Sequence, residues 1–290
     1  MRVLLASDGS SDSRRATQWL RDLPLPSDTS LSVLTVATLT EPPRDSQTMS
    51  ELRESLVREA RRTSERAAAV LRRRWPEVET VVMQGDPRVE IVHVAEEARM
   101  DMIAVGARGL GRLRRLLVGS TSLAVARYAP CPVAIVKGEV RRLGRVLVAV
   151  DGSEGARTAL RFLSSFELVR EAQVILLHAL PKSAAPGRGK SKKSASEDRV
   201  EVDRRKQRAD ADRLLADATA ALPDAGRPME RVVAEGDPAR EIVRYAHDHD
   251  VDLVVLGARG LRTLGRLLLG SVSETVLHHV ARPALIVRER

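Results

Sequence analysis

The chain has 290 residues, 43% of them hydrophobic and only 2% aromatic, with a formal net charge of +9. That length predicts two domains of about 100–150 residues each, with aliphatic cores, and the scarcity of rings excludes the stacking platforms of single-stranded nucleic-acid binders. A single cysteine, Cys131, excludes an intramolecular disulfide and fits a reducing, cytoplasmic setting. No apolar run approaches the ~20 residues needed to cross a bilayer, and the first residues have no signal-peptide organisation. The positive charge is mostly arginine, interleaved with acids, and reads first as a solvated surface.

Short, near-continuous runs of Val, Ile, Leu and Ala predict strands at roughly 2–7, 31–37, 78–83, 101–106 and 132–137, as in parallel strands covered on both faces. The first run leads into Ser7-Asp8-Gly9. Leu52, Leu56, Ala60, Thr63, Ala67, Val70 and Leu71 recur at spacings of three and four, so one helical stripe faces a sheet. Gly85-Asp86-Pro87 precedes a further helical pattern. Gly106-Ala107-Arg108-Gly109 is followed, after nine residues, by Gly119-Ser120. Cys131, between Pro130 and Pro132, is expected as a buried small hydrophobe.

The same order then recurs. Val146 to Ser153 repeats Val3 to Ser10, Gly236-Asp237-Pro238 repeats Gly85 to Pro87, and Gly257 to Ser271 repeats Gly106 to Ser120. The matching helical stripe is Ala211, Leu214, Leu215, Ala218, Ala221 and Leu222. A short polar connection separates two expected domains, 1–138 and 144–290. Asp8 and Asp151 are 143 residues apart while Gly106 and Gly257 are 151 apart, so the second half carries eight extra residues, expected in a basic loop at 181–197. Alternating strands and helices imply an α/β class with open parallel sheets and right-handed crossovers.

In such sheets ligands bind beyond the carboxyl ends of the strands, where strand order reverses. Asp8 and Asp151 end each first strand; Gly106 and Gly257 end each fourth. Glycine admits close backbone approach, and a glycine loop leading into a helix start gathers N–H groups for an anion, usually phosphate. Ser120 and Ser271 open the next helix and are expected to cap it, with Thr121, Ser122 and Ser273 adding hydroxyls. No P-loop and no nucleophile–base spacing occurs, so no catalytic residue is assigned. The His247-Asp248-His249 cluster is a weak metal pattern, because residues two apart do not share a helix face.

The Gly-x2-Gly-x9-Gly-Ser pattern, the aspartate after strand one and the Gly-Asp-Pro before helix three resemble the universal stress protein family, as two family domains in tandem over the whole chain. The resemblance implies two Rossmann-like domains of the adenine nucleotide alpha hydrolase-like type, each a five-stranded parallel sheet of order 3-2-1-4-5. It also implies the ATP-binding branch. Carried over by position, Asp8 and Asp151 would face the ribose or adenine, and Val36 and Ala179, ending strand two, would line the adenine pocket. Gly106, Gly109, Gly119, Ser120, Thr121 and Ser122 would hold the phosphates of one nucleotide. Gly257, Gly260, Gly270, Ser271, Val272 and Ser273 would hold those of another. Arg108 and Arg259 stand where many members carry His, and suit phosphate by charge and fork geometry or could fold back into the site. Arg112, Arg114, Arg115, Arg262 and Arg266 are further loop candidates. His178 matches a frequent family residue, whereas the first half has Thr35, so the two pockets are expected to differ. The family also implies pairing of domains through fifth strands, here 132–137 with 284–288, with a homodimer or a protein partner as further associations.

The expected function is a cytoplasmic, nucleotide-dependent stress-response switch or sensor holding ATP, ADP or AMP, with Mg2+ carried mainly by phosphates and water. Two alternatives stay open: a slow ATP-hydrolysing or phosphotransferring enzyme, and a binding module for an acidic partner or nucleic acid using the basic 182–193 stretch.

Overall fold

A computed structural model describes residues 1–39, 46–109, 118–166, 168–181, 193–223, 228–260 and 269–288, the side chains of 46–48, 168, 170 and 193–201 excepted. Arg112, Arg114, Arg115, Arg262, Arg266 and all but the last residue of the 182–193 stretch lie outside the described residues. The first half runs β1 (Arg2–Ala6), α1 (Ser11–Asp22), β2 (Ser30–Ala37), α2 (Ser46–Leu71), β3 (Val78–Gln84), α3 (Pro87–Glu97), β4 (Met102–Gly106), α4 (Ser120–Tyr128) and β5 (Val133–Val136). The second runs β6 (Arg145–Ala149), α5 (Glu154–Ser164), α6 (Leu168–Glu171), β7 (Gln173–Leu180), α7 (Lys193–Ala220), β8 (Glu230–Glu235), α8 (Pro238–Asp248), β9 (Leu253–Gly257), α9 (Ser271–His279) and β10 (Ala284–Val287).

The strands form one sheet, ordered β3-β2-β1-β4-β5-β10-β9-β6-β7-β8. Within each half every pairing is parallel and the order is 3-2-1-4-5, as expected. The halves meet where β5 and β10 pair antiparallel, Ile135 opposite Ala284 and Val133 opposite Ile286. The central strands are apolar throughout because both faces are covered: β4 and β5 are wholly buried. Each face carries a core that runs through both halves. One joins Val3 and Leu5 of β1 to Val148 and Val255; the other joins Leu4 and Ile103 to Leu147 and Val254. Cys131 is fully buried.

Local chemistry sets the helix starts. Ser10 and Ser153 cap α1 and α5 by accepting from the amides of Ser13 and Ala156. The Gly-Asp-Pro repeats resolve into Asp86 and Asp237 as N-caps with proline at the first helical position. The stripe predicted on α2 is buried at Ala60, Thr63, Ala67 and Leu71. Two expectations need correction. The 181–197 segment is not a loop to its end, since α7 already begins at Lys193; and of the stripe residues past the end of α7 at Ala220, Ala221 is exposed while Leu222 turns into the core.

Gly138, just after β5, has φ +68 and packs so closely on the second half that a Cβ would run into the Ala281 carbonyl oxygen. Gly138→Ala is therefore expected to destabilise the protein by at least about 2 kcal/mol, from the left-handed backbone strain and the clash together. Urea titration of the two proteins measures it.

Candidate functional site

β1 pairs with both β2 and β4, so strand order reverses at β1, and β6 stands likewise between β7 and β9. The crevice above β1 is a cleft of about 350 Å3. Asp8, Val36, Gly106, Arg108, Gly109, Thr121 and Ser122 all line it, with Glu59 and Thr63 of α2 and Ile91 of α3. Val36 and Ala179 each sit one residue before their strand's end, at Ala37 and Leu180, not at the end itself.

Gly109 and Gly260 occupy matching places against the two aspartates. A Cβ on Gly109 would lie 2.6 Å from Asp8 Oδ2, and one on Gly260 2.6 Å from Asp151 Oδ2. Each aspartate is fixed by its own turn: Asp8 Oδ1 accepts from the Ser10 amide at 3.0 Å and Asp151 Oδ1 from the Ser153 amide at 2.9 Å. The first glycine of each loop has a different task. A Cβ on Gly106 or Gly257 would lie 2.5 Å from the carbonyl carbon of Asp12 or Gly155, so these glycines let the first turns of α1 and α5 rest on the strand ends.

The helix starts differ from expectation in an informative way. α4 and α9 are N-capped by Gly119 and Gly270, with no side-chain hydrogen bond at the cap among the described residues; Ser120 and Ser271 are the first helical residues, not the caps. By contrast, α1, α3, α5 and α8 all have a side-chain cap. Among the described residues, no side chain caps the amides of the first turns of α4 and α9. Gly119 and Gly270 are held in place by donating to the Ala107 and Ala258 carbonyls, both at 2.7 Å. Ser122 and Ser273 are buried, and each hydroxyl donates to the carbonyl of Gly106 or Gly257, at 2.6 and 2.7 Å. Thr121 and Val272 are half-buried and occupy the same place in their helices.

The halves diverge beneath the crevice. Ser7, Ser13, Thr35 and Thr63 stand in the first half where Val150, Ala156, His178 and Leu214 stand in the second. Thr35 Oγ1 is buried without a partner among the described residues, whereas His178 Nδ1 donates to the Val150 carbonyl at 2.7 Å. Arg108 Nε donates to Asp12 Oδ2 at 3.0 Å; Asp12 is 2% exposed and also pairs with Arg15. Gly155 takes the place of Asp12 in the second half, where a Cβ would meet the Arg259 carbonyl oxygen. Sequence reasoning missed Asp12, which only a comparison of the two capped turns would have raised.

It also missed Lys137 and Arg288, basic residues that directly follow the apolar strands β5 and β10. Lys137 is 9% exposed and donates to the Leu277 carbonyl. Burial, with Arg108 nearby, pushes its ammonium down to about 8. The unfolded chain keeps that proton up to the ordinary value of 10.5. Between those values the unfolded state binds more protons, so stability rises with pH there and is flat, for this group, below about 8. Relative to Lys137→Met, the wild type is expected to gain roughly 3 kcal/mol between pH 8 and 10.5, read by denaturant titration of both proteins across that range.

The His247-Asp248-His249 pattern does not gather into a metal centre: His247 Nδ1 pairs with Asp248 at 3.1 Å while His249 stacks on Tyr245 at 3.9 Å. No cluster of three metal-ligating side chains occurs among the described residues. Nor is any described helix long and apolar enough to cross a membrane.

A universal stress protein of Mycobacterium tuberculosis is 29% identical over 301 residues, covering 99% of this chain and 97% of its own length. The crystal structure of a universal stress protein from Archaeoglobus fulgidus covers 100% of this chain and 98% of its own at 21% identity, with a TM-score of 0.68. A family protein of Arabidopsis thaliana solved with AMP bound is 22% identical, covers 46% of this chain and 88% of its own, and has a TM-score of 0.33. The profile of the universal stress protein family matches residues 1–137 and again 143–288. Two consecutive matches that together span nearly the whole sequence establish that the chain belongs to the universal stress protein family, in its tandem form.

Proposed function

We propose that the chain is an ATP-binding universal stress protein whose two domains, 1–138 and 144–290, each cradle the phosphates of one adenine nucleotide, and that it acts as a nucleotide-dependent switch. The observation that carries the reading is the contrast among helix starts. Where a glycine loop precedes the helix, at α4 and α9, a glycine replaces the side-chain cap found on α1, α3, α5 and α8. Uncapped N–H groups at the positive end of a helix favour an anion. Asp8 and Asp151, held beside Gly109 and Gly260, offer acceptors to a ribose. Gly109, Gly119, Ser120 and Thr121, with Gly260, Gly270, Ser271 and Val272, surround the two phosphate positions. Gly106, Gly257, Ser122 and Ser273 support them by fixing the strand ends. Val36 and Ala179 stand at the adenine end. Arg108 and Arg259 supply charge to the loops, and Mg2+ would be held by phosphate oxygens and water.

A switch fits the chemistry better than an enzyme because charge and shape complementarity to phosphate are provided without an assigned base. The test is direct. Freshly purified protein is denatured, and any released small molecule is identified by mass. ATP, ADP or AMP in amounts comparable to protein supports the reading; its absence, together with no heat on titration with all three, overturns it.

A further inference from the structure

We infer that the phosphate cradle of each half is positioned by a cation that the other half supplies: Lys137 holds the far end of α9, and Arg288 holds the far end of α4. The inference rests on the nucleotide reading above and extends it across the domain boundary.

The contacts are reciprocal. Lys137 leaves β5 and donates to the carbonyl of Leu277, in the last turn of α9. Arg288 leaves β10 and donates to the carbonyls of Ala126 and, at 3.0 Å, Arg127, in the last turn of α4. Antiparallel pairing of β5 with β10 produces this crossing, because each strand ends over its partner's half. Each basic residue is also tied to the loop of its own half. The carbonyl of Val136 accepts from the Ala107 amide at 2.8 Å, and that of Val287 accepts from the Ala258 amide. A further pair, Arg127 with Glu274, joins the two helices directly.

The physical consequence follows from helix length. α4 and α9 have nine residues each, so their ends are only about 14 Å apart. Helices this short are marginal alone, and the order of their first amides depends on what pins the last turn. A cation at the carbonyl end and an anion at the amide end act on the same dipole in the same sense. Burial disfavours the charge of both Lys137 and Arg288. At the buried Lys137 an apolar residue would avoid that desolvation cost, so charge there calls for a role beyond packing. Mutually supplied cations give one such role: neither cradle is complete unless the halves are joined.

The test reads each site alone by calorimetric titration with ATP. Gly109→Asp leaves the second site visible and Gly260→Asp the first. In these backgrounds Lys137→Met is expected to weaken ATP at the second site three- to tenfold and to change the first by less than twofold. Arg288→Met should give the mirror image. Lys137→Arg and Arg288→Lys should restore wild-type affinity, since each half already uses the other's cation type. A merely structural role would lower affinity at both sites or shift the melting temperature alone. Equal losses at both sites, losses in the same half, or no loss would each overturn the inference. If neither glycine variant removes one site's worth of binding, the nucleotide reading falls first; if both do and the crossed pattern is missing, only this inference falls. Should a methionine variant not fold, Lys137→Gln or Arg288→Gln, which keep a donor without the charge, carries the same expectation.

Discussion

ATP at a hundredfold excess over its dissociation constant is expected to raise the melting temperature of the wild-type protein by roughly 10–20 °C when both sites fill, and to leave that of the Gly109→Asp, Gly260→Asp double variant unchanged. Linkage gives about 2.7 kcal/mol per filled site at that excess, and about 1 kcal/mol moves the midpoint of a protein of this size by roughly 2–4 °C. The substitutions place a side chain directly against Asp8 or Asp151. A Cβ on either glycine would already sit 2.6 Å from an aspartate oxygen, so the new side chain displaces loop or carboxylate before any ligand arrives. It also adds a second negative charge beside Asp8 or Asp151, which raises the cost of bringing phosphate close. Each single variant should lose about half of the stabilisation. An unchanged ATP shift in the double variant would remove Gly109 and Gly260 from the nucleotide site, whatever else the protein binds. Differential scanning calorimetry with and without ATP decides this, and the unliganded melting temperature reports whether the double variant is folded.

The strand runs were legible because a parallel strand covered on both faces leaves no polar periodicity to misread; 78–83 and 101–106 became Val78–Gln84 and Met102–Gly106. The crevice was legible for a related reason. The repeat placed Asp8 and Gly106 at ends of apolar runs, and β1 and β4 are neighbours. What failed was local polarity. Ser120 and Ser271 have cap chemistry, but a cap needs its own residue outside the helix, and Gly119 and Gly270 occupy that place. A basic residue after an apolar strand reads as the return to solvent, so Lys137 and Arg288 gave no signal. Lys137 is buried and Arg288 half-buried where β10 lies against β5, a contact between residues some 150 positions apart. The start of α7 was hidden because Ser, Ala and Lys around 193–197 are compatible with helix as much as with loop.

That antiparallel seam carries the other large effect. Leu285 is 2% exposed, stands opposite Ala134 of β5 and beside Val255 of β9, and belongs to the core that runs through both halves. Leu285→Ala is expected to cost about 2–5 kcal/mol from lost burial and the cavity left behind. Leu285→Asp adds a buried carboxylate, a further several kcal/mol unless it takes up a proton, and the sum approaches the whole stability of an ordinary domain. Because the core is shared, the alanine variant should still unfold in one urea transition, shifted to lower midpoint, with both halves lost together. The aspartate variant should part the seam and uncover the apolar β5 segment Val133–Val136, whose free edge invites pairing with another chain. Light scattering on the eluting protein should then show species larger than a single chain. Two separate transitions in the alanine variant would mean that the halves are stable units merely touching at β5 and β10. A monomeric, fully folded Leu285→Asp protein would remove the seam from the list of what holds the molecule together.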